Sequence, residues 1–226
     1  IILVGFLLGR ALILAKITPF ALPFFAAVLL IRKDRAGLAM LALLAGAMTL
    51  SVNTTMYVFG SIVLFTLCHK VSKKLKFESL KALPFLVLIA SLLTKSMIIY
   101  LTQGEITLYD GMLAVVEAGL GFILTLIFLQ SVPLLTVKKR HQSLKTEEVI
   151  CIIILIASVM TGTIGWHVYD LSIEHILSRY LVLLFAFVAG ATTGSTVGVV
   201  TGLILSLANV ASLYQMSLLA FSGLLG

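Results

Sequence analysis

The chain has 226 residues, of which 61% are hydrophobic and only 11% are charged, and its mean hydropathy is +1.19. Soluble domains carry about 25% charged residues, so this composition excludes an ordinary soluble protein. Long apolar runs without strict alternation favour membrane helices over a β-barrel. The net charge of +7 does not indicate nucleic-acid binding, because the lysines and arginines lie in short runs between apolar segments.

The apolar segments predict an all-α, polytopic transmembrane bundle of about ten helices. Their approximate bounds are 1–15, 19–31, 36–50, 55–68, 83–102, 111–132, 149–165, 178–192, 195–209 and 213–226. The stretch from Ala36 to Cys68 is divided in two, because one helix of that length would be roughly 50 Å long against a hydrocarbon core of about 30 Å. We expect its turn near Asn53.

Three basic loops determine the predicted orientation. They hold most of the 16 basic residues, namely Arg32, Lys33 and Arg35, then Lys70, Lys73, Lys74, Lys76 and Lys81, then Lys138, Lys139, Arg140 and Lys145. By the positive-inside rule these loops are cytoplasmic, and the amino end is then cytoplasmic as well. No charged residue follows Arg179, so the side of the carboxyl end depends on the helix count. Ten crossings place both ends in the cytoplasm, and a single span over 177–209 would reverse the carboxyl end.

A line of small residues at four-residue spacing runs through the stretch from Leu177 to Asn209. Its members are Ala186, Gly190, Gly194, Gly198, Gly202 and Ser206. Such a line covers one helix face and lets another membrane helix approach closely, within one subunit or between subunits. Because the stretch is too long for one untilted crossing, we predict a turn near residues 192–195. Gly194 would then lie in the turn, and the other glycines would let the two flanking helices pack as a hairpin.

Four charged residues fall within apolar segments, where charges are costly and indicate functional sites. They are Arg10, Lys16, Lys95 and Glu117. Lys95 and Glu117 lie roughly 10 Å below the outer surface on adjacent antiparallel helices, so we predict that they pair. The pair either neutralises two charges and fixes helix register or belongs to a proton or ion path. Arg10 and Lys16 are expected near the outer end of the first helix, where they snorkel.

No catalytic or metal site is predicted in this chain. The four histidines are scattered over loops on both sides, and the three aspartates lie far apart in the sequence. That distribution leaves no carboxylate cluster for metal-assisted hydrolysis, and the glycine pattern matches no nucleotide-binding motif. The chain begins at Ile1 without a methionine and stops at Gly226 inside an apolar run, so we expect a fragment of a longer protein.

Two parts of the sequence carry a family resemblance. The first comprises Gly9-Arg10-Ala11, the stretch from Thr18 to Ala26, and Arg32 with Asp34; the second comprises 198–203 and 217–224. Both are similar to the membrane region of the stage II sporulation protein E family of endospore-forming bacteria. The likeness extends over essentially the whole chain, and its motifs are packing motifs rather than catalytic ones.

The resemblance implies ten membrane helices with both ends in the cytoplasm. In the family, a cytoplasmic portion linked to oligomerisation and to the tubulin-like division protein follows, and then a PP2C-type serine phosphatase domain that needs Mn or Mg. That phosphatase acts on a phosphorylated anti-anti-sigma factor and so activates the forespore sigma factor at the polar division septum. None of its metal-binding aspartates falls in this chain, for which we expect no cofactor.

We therefore expect a domain of the bacterial cell membrane that anchors and localises a cytoplasmic phosphatase and is itself catalytically inert. Its expected partners are the lipid bilayer and further copies of the chain, and by resemblance the division protein and the anti-anti-sigma factor. Two alternatives stay open. One is an ion or small-solute transporter or channel built on Lys95 and Glu117, which commonly has repeated halves. The other is an anchor for a different cytoplasmic domain.

Overall fold

A computed structural model describes residues 1–13, 16–74, 79–105, 107–136, 146–169, 171–208 and 213–225. These residues form ten α-helices and one short β-hairpin. The helices are α1 Ile2–Arg10, α2 Ala21–Ile31, α3 Lys33–Met48, α4 Val52–Lys74, α5 Ser79–Gln103, α6 Leu108–Thr136, α7 Thr146–Thr161, α8 Ile173–Ala189, α9 Ala191–Ala208 and α10 Leu213–Leu225. The hairpin pairs β1 His167–Val168 with β2 Leu171–Ser172. The all-α fold class is thus confirmed, whereas ten crossings and two cytoplasmic ends stay predictions.

Four of the described helices are long and apolar enough to cross a membrane. They are Val52–Lys73, Ala82–Gln103, Leu108–Leu134 and Ala191–Ala208, while Ala21–Ile31 and Met216–Leu225 are shorter apolar helices. Large apolar side chains cover much of the outer surface, including Phe85, Ile123 and Phe187. An apolar exterior of this extent fits lipid rather than water as the surrounding solvent. The third basic loop of the sequence, 138–145, lies outside the described residues.

The chain divides into two compact units. The first comprises Ile1–Arg10 and Ile17–Lys139 and contains α1 to α6; the second comprises Ala11–Lys16 and Arg140–Gly226 and contains α7 to α10 with the hairpin. In the second unit, Ile153, Val182, Val197 and Leu219, one from each helix, form the buried core.

Helix α2 is the centre of the first unit. Every residue from Ala21 to Val28 is buried, and α2 contacts all the other helices of the unit. Edge-to-face ring contacts fix its position: Phe24 meets Phe128 of α6 with centroids 6.4 Å apart, and Phe25 meets Phe65 of α4 at 6.3 Å. Eleven residues rise only about 16 Å, roughly half of a hydrocarbon core. We therefore describe α2 as a short internal helix of the first unit.

The first helix is shorter than the sequence predicts. It ends at Arg10 instead of residue 15, and the next helix begins at Ala21. Backbone outside a helix needs other hydrogen-bond partners in an apolar environment. The partner of Thr18 is distant in sequence: its backbone N–H donates to the carboxylate of Glu117 at 2.8 Å. A contact 99 residues distant leaves no signal in the local sequence.

The turn between α3 and α4 also differs from the prediction. Asn53 lies in the first turn of α4, and the chain reverses at 49–51 instead. Ser51 ends the turn, since its hydroxyl accepts the N–H of Thr54 at 3.1 Å. Serine in this role satisfies one of the free N–H groups that begin a helix.

The break between α8 and α9 lies at Gly190 and not at 192–195. Gly190 has φ +88° and ψ 167°, a conformation that is essentially restricted to glycine. The threonines and serine that suggested a turn are accommodated inside α9. Their hydroxyls donate to carbonyl groups three or four residues earlier, as Thr193 does to Ala189 at 3.1 Å and Thr196 to Thr192 at 2.8 Å. The prediction was therefore wrong about which residues interrupt the helix.

Candidate functional site

Four elements of the first unit bring polar groups together around Glu117. Glu117 lies in the first third of α6, Lys95 in α5, Tyr57 in α4, and Thr18 in the segment that leads into α2. The Lys95 ammonium Nζ is 2.9 Å from Glu117 Oε2. The structure thus brings together the two residues that the sequence predicts as a pair, and it adds two groups that the sequence did not indicate.

Lys95 and one backbone group hold the Glu117 carboxylate. Besides the Lys95 ammonium, the backbone N–H of Thr18 donates to Oε1 at 2.8 Å. Lys95 Nζ also stands 4.8 Å from the centroid of the Tyr57 ring, which attracts the cation through its π-electron face. The Glu117 side chain is 1% exposed and that of Lys95 is 19% exposed. We call Glu117, Lys95, Tyr57 and Thr18 the Glu117 cluster.

The Glu117 cluster is arranged to hold a buried charge in place. A carboxylate removed from water is tolerated only when paired charges and hydrogen bonds replace its hydration. Here they come from the Lys95 ammonium and the Thr18 N–H. The closed setting of Glu117 favours the charge-neutralising interpretation over an ion path, which needs groups open to water. Among the described residues, no three His, Cys, Asp or Glu side chains converge to hold a metal ion.

The other two predicted membrane charges lie elsewhere. Arg10 is the last residue of α1 and half-buried, whereas Lys16 is exposed and lies six residues beyond the end of α1. The backbone N–H of Lys16 donates to the carbonyl of Ile13 at 3.2 Å, which makes a local turn. Neither residue is part of the Glu117 cluster.

The line of small residues is divided differently from the prediction. Ala186 lies in α8 and Gly190 forms the break, whereas the remaining members, Gly194, Gly198, Gly202 and Ser206, all lie in α9 and are buried. A Cβ atom on Gly194 would stand 2.5 Å from the Cβ of Ala186 and 2.7 Å from the carbonyl oxygen of Gly223.

The main partner of these glycines is α10. Gly198 faces the Leu219 carbonyl, and a Cβ on Gly202 would lie 2.6 Å from the Cα of Met216. The hairpin prediction placed Gly194 in the turn, whereas Gly194 lies inside α9 against Ala186 of α8. It also expected Gly198 and Gly202 to pack on the preceding helix, whereas they pack on α10. Because these glycines lie against α8 and α10 of the same chain, their packing is within one subunit.

A second close helix pair was missed by the sequence analysis. In the first unit α1 runs parallel to α3, and Gly9 of α1 and Gly46 of α3 lie directly against backbone of the opposite helix. A Cβ on Gly5 would meet the Ala42 Cβ at 3.2 Å. The four-residue spacing of Gly5 and Gly9 was the available signal, because small residues at that spacing favour close helix packing in membranes.

Comparison with known proteins decides the family. The family model described as the SpoIIE N-terminal domain matches residues 1–226. The chain belongs to the SpoIIE N-terminal domain family. The resemblance found in the sequence is thereby confirmed, and with it a sporulation-related membrane domain.

Two relatives of the SpoIIE N-terminal domain illustrate the match. Stage II sporulation protein E of Bacillus subtilis (strain 168) is 55% identical over 225 residues, which are 100% of this chain and 27% of that protein. Stage II sporulation protein E of Priestia megaterium is 90% identical over 31 residues, which are 14% of this chain and 5% of that protein. The chain thus spans about a quarter of the length of the first relative. No solved structure matches the chain at a significant level.

Proposed function

We propose that this domain anchors a cytoplasmic protein serine phosphatase in the cell membrane and directs it to the polar division septum of a sporulating bacterium. The observation that carries the proposal is the 55% identity, over the whole chain, to stage II sporulation protein E. Since the match covers 27% of that protein, the remaining length leaves room for a cytoplasmic enzyme.

The physical character of the domain supports an anchoring role. Four long apolar helices suit insertion in a bilayer, and glycine contacts with backbone in both units favour tightly packed helices. The Glu117 cluster ties α4, α5 and α6 to the segment before α2. An anchor of several packed helices offers more surface for recognition at the septum than a single membrane helix does.

The chemistry in this proposal belongs to the attached phosphatase. Its substrate is a phosphorylated anti-anti-sigma factor, whose dephosphorylation activates the forespore sigma factor, and its metal is Mn or Mg. The tubulin-like division protein and further copies of the same protein are the proposed partners at the septum. The membrane domain contributes position and local concentration to this reaction.

A domain exchange tests the proposal. In the full-length protein, residues 1–226 are replaced by an unrelated helical membrane anchor, and a fluorescent fusion and a sigma-dependent reporter are followed in sporulating cells. We expect the chimera to stay in the membrane, to keep its phosphatase activity after purification, and to lose septal enrichment several-fold. Septal enrichment equal to that of the unaltered protein would contradict the proposed localising role.

A further inference from the structure

A groove runs between α8 and α10 in the second unit. Its floor is formed by Ser178 of α8 and Leu219 of α10, which are 2% and 5% exposed. Arg179, Leu183 and Leu218 form its walls, and the cavity between them has a volume of about 270 Å³. We call these five residues the Arg179 groove.

The Arg179 groove continues toward the β-hairpin. A second cavity, of about 420 Å³, begins at Leu171 and Ser172 of β2 and shares His175 and Arg179 with the lining of the first. His175 precedes Arg179 by one helical turn, so both lie on one face of α8. Arg179 therefore stands where the two cavities meet, and a molecule that extends through both passes its side chain.

Arg179 brings a permanent positive charge into this groove, and none of the described acids pairs with it. The nearest described acid in the sequence is Glu174, whose Oε1 lies 4.0 Å from His175 Nε2. Five positions along a helix place Glu174 about 140° around α8 from Arg179. Because a charge in an apolar helix is costly without a counter-charge, the groove has the charge of an anion site.

The guanidinium of Arg179 is the charged donor of the groove. The Ser178 hydroxyl donates to the carbonyl of His175 at 3.1 Å, and the Ser222 hydroxyl, which also lines the first cavity, donates to the carbonyl of Leu219 at 2.9 Å. Both hydroxyls are thus engaged within their own helices. The guanidinium carries five N–H groups in a planar fork that matches two oxygens of a phosphate.

Beyond Arg179 the groove is apolar. Leu183, one turn further along α8, is 51% exposed, and Leu218 on the facing helix is 59% exposed. Apolar side chains that border a cavity from two helices suit an acyl chain, whereas a free inorganic anion would gain nothing from them. An anionic phospholipid joins a phosphate to acyl chains and is present in the bilayer around the domain. Charge and apolarity together favour it as the occupant.

We propose that the Arg179 groove binds one anionic phospholipid. Its phosphate accepts two parallel hydrogen bonds from the Arg179 guanidinium, and one acyl chain lies between Leu183 and Leu218. The predicted orientation puts the amino end of α8 at the outer surface, which assigns this lipid to the outer leaflet. The site is independent of the phosphatase assignment, because it uses only residues of the membrane domain.

Native mass spectrometry measures the binding of individual lipids. The full-length protein in detergent is titrated with phosphatidylglycerol, and the dissociation constant of the first bound lipid is determined. We expect Arg179→Gln to raise this constant about five-fold, the ratio that corresponds to about 1 kcal/mol for one cation. Arg35→Gln is the matched control, because Arg35 is also an exposed arginine but lies in α3 of the first unit. Equal changes in the two variants, or none in Arg179→Gln, would overturn the site.

The apolar part of the groove has its own test. Leu218→Trp places an indole ring in the cavity, so we expect the first lipid to bind several-fold more weakly while the melting temperature without lipid stays close to that of the unaltered protein. Leu224→Trp is the control, because Leu224 is 57% exposed on the same helix and lines neither cavity. Equal lipid binding by the two variants would show that the acyl chain lies elsewhere and would overturn the proposal.

Other partners of Arg179 give different results. If glycerol phosphate bound as tightly as phosphatidylglycerol, the occupant would be a soluble anion and not a lipid. Asp170 lies outside the described residues, so its pairing with Arg179 is measured in a double-mutant cycle of Arg179→Gln and Asp170→Asn by thermal unfolding without lipid. We expect the two effects to add. An effect of Arg179→Gln that disappeared in the Asp170→Asn background would show that Asp170 already neutralises Arg179, and the lipid site would be overturned.

Discussion

Gly202 of α9 lies so close to Met216 of α10 that a Cβ atom on the glycine would stand 2.6 Å from the Met216 Cα. Real Cβ atoms do not approach other atoms this closely, and backbone cannot rotate away as a side chain can. The same relationship holds for Gly198 and Leu219, one turn earlier. The α9–α10 pair therefore depends on glycine at two successive turns of one helix.

We predict that Gly202→Ala destabilises the domain by about 1–3 kcal/mol, because the added methyl group forces the two backbones apart. Thermal unfolding of the full-length protein in detergent measures the change. Gly119→Ala is the control, since Gly119 lies inside α6 and a Cβ there would meet nothing within 4 Å. Alanine is the better helix former, so the control is expected to be neutral or slightly stabilising. Equal effects of the two substitutions would contradict the close approach.

A parallel prediction concerns α1 and α3. Gly46→Ala places a methyl group against the Phe6 carbonyl of α1 and is expected to lower the melting temperature and the cellular level of the protein. Gly37→Ala, on the same helix, meets nothing within 4 Å and is expected to leave both unchanged. Quantitative immunoblotting of membranes, together with thermal unfolding, compares the two variants. A stable Gly46→Ala protein would indicate that α1 does not pack on α3 at this position.

At Gly190 the expected effect comes from backbone strain and not from contact. A Cβ on Gly190 would meet nothing within 4 Å, yet its φ of +88° is disfavoured for every residue with a side chain. Gly190→Ala is expected to cost about 1–3 kcal/mol of folding stability. Gly111→Ala, which also meets nothing within 4 Å, serves as the reference in the same unfolding assay. If both variants unfolded at the same temperature, α8 and α9 would not be divided at Gly190.

The helices themselves could be predicted from sequence because length and apolarity determine them. Ten segments were expected and ten helices are described, from α1 to α10, although most bounds differ by several residues. The errors arise where contacts between residues that are distant in sequence determine where a helix begins or ends. After α1 ends at Arg10, the N–H of Thr18 donates to Glu117, which lies 99 residues later in the chain.

Part of the candidate site was also predictable from the positions of residues along the predicted helices. Depth along two antiparallel helices was enough to propose Lys95 with Glu117, because a charge in an apolar helix needs a partner at its own level. Tyr57 and Thr18 could not be found in this way. A tyrosine in an apolar helix and a backbone N–H are common features, and neither identifies its acceptor.

The Glu117 cluster gives the most specific prediction about pairing. Lys95→Met is expected to destabilise the domain by about 3 kcal/mol, because Glu117 would remain buried without its main counter-charge. Adding Glu117→Gln should recover a large part of this loss, since the amide oxygen still accepts the Thr18 N–H while the buried charge is gone. Thermal unfolding of the two single variants and the double variant forms a double-mutant cycle, with an expected coupling of about 1–3 kcal/mol.

Exchanging the two charges separates this arrangement from a simple ion pair. In the double variant Lys95→Glu with Glu117→Lys, the charges again attract each other, but the ammonium at 117 faces the Thr18 N–H, which has lost its acceptor. We therefore expect the exchanged pair to be less stable than the neutral pair Lys95→Met with Glu117→Gln. Full stability of the exchanged pair would mean that Glu117 acts only through Lys95, and the segment before α2 would then need a different partner.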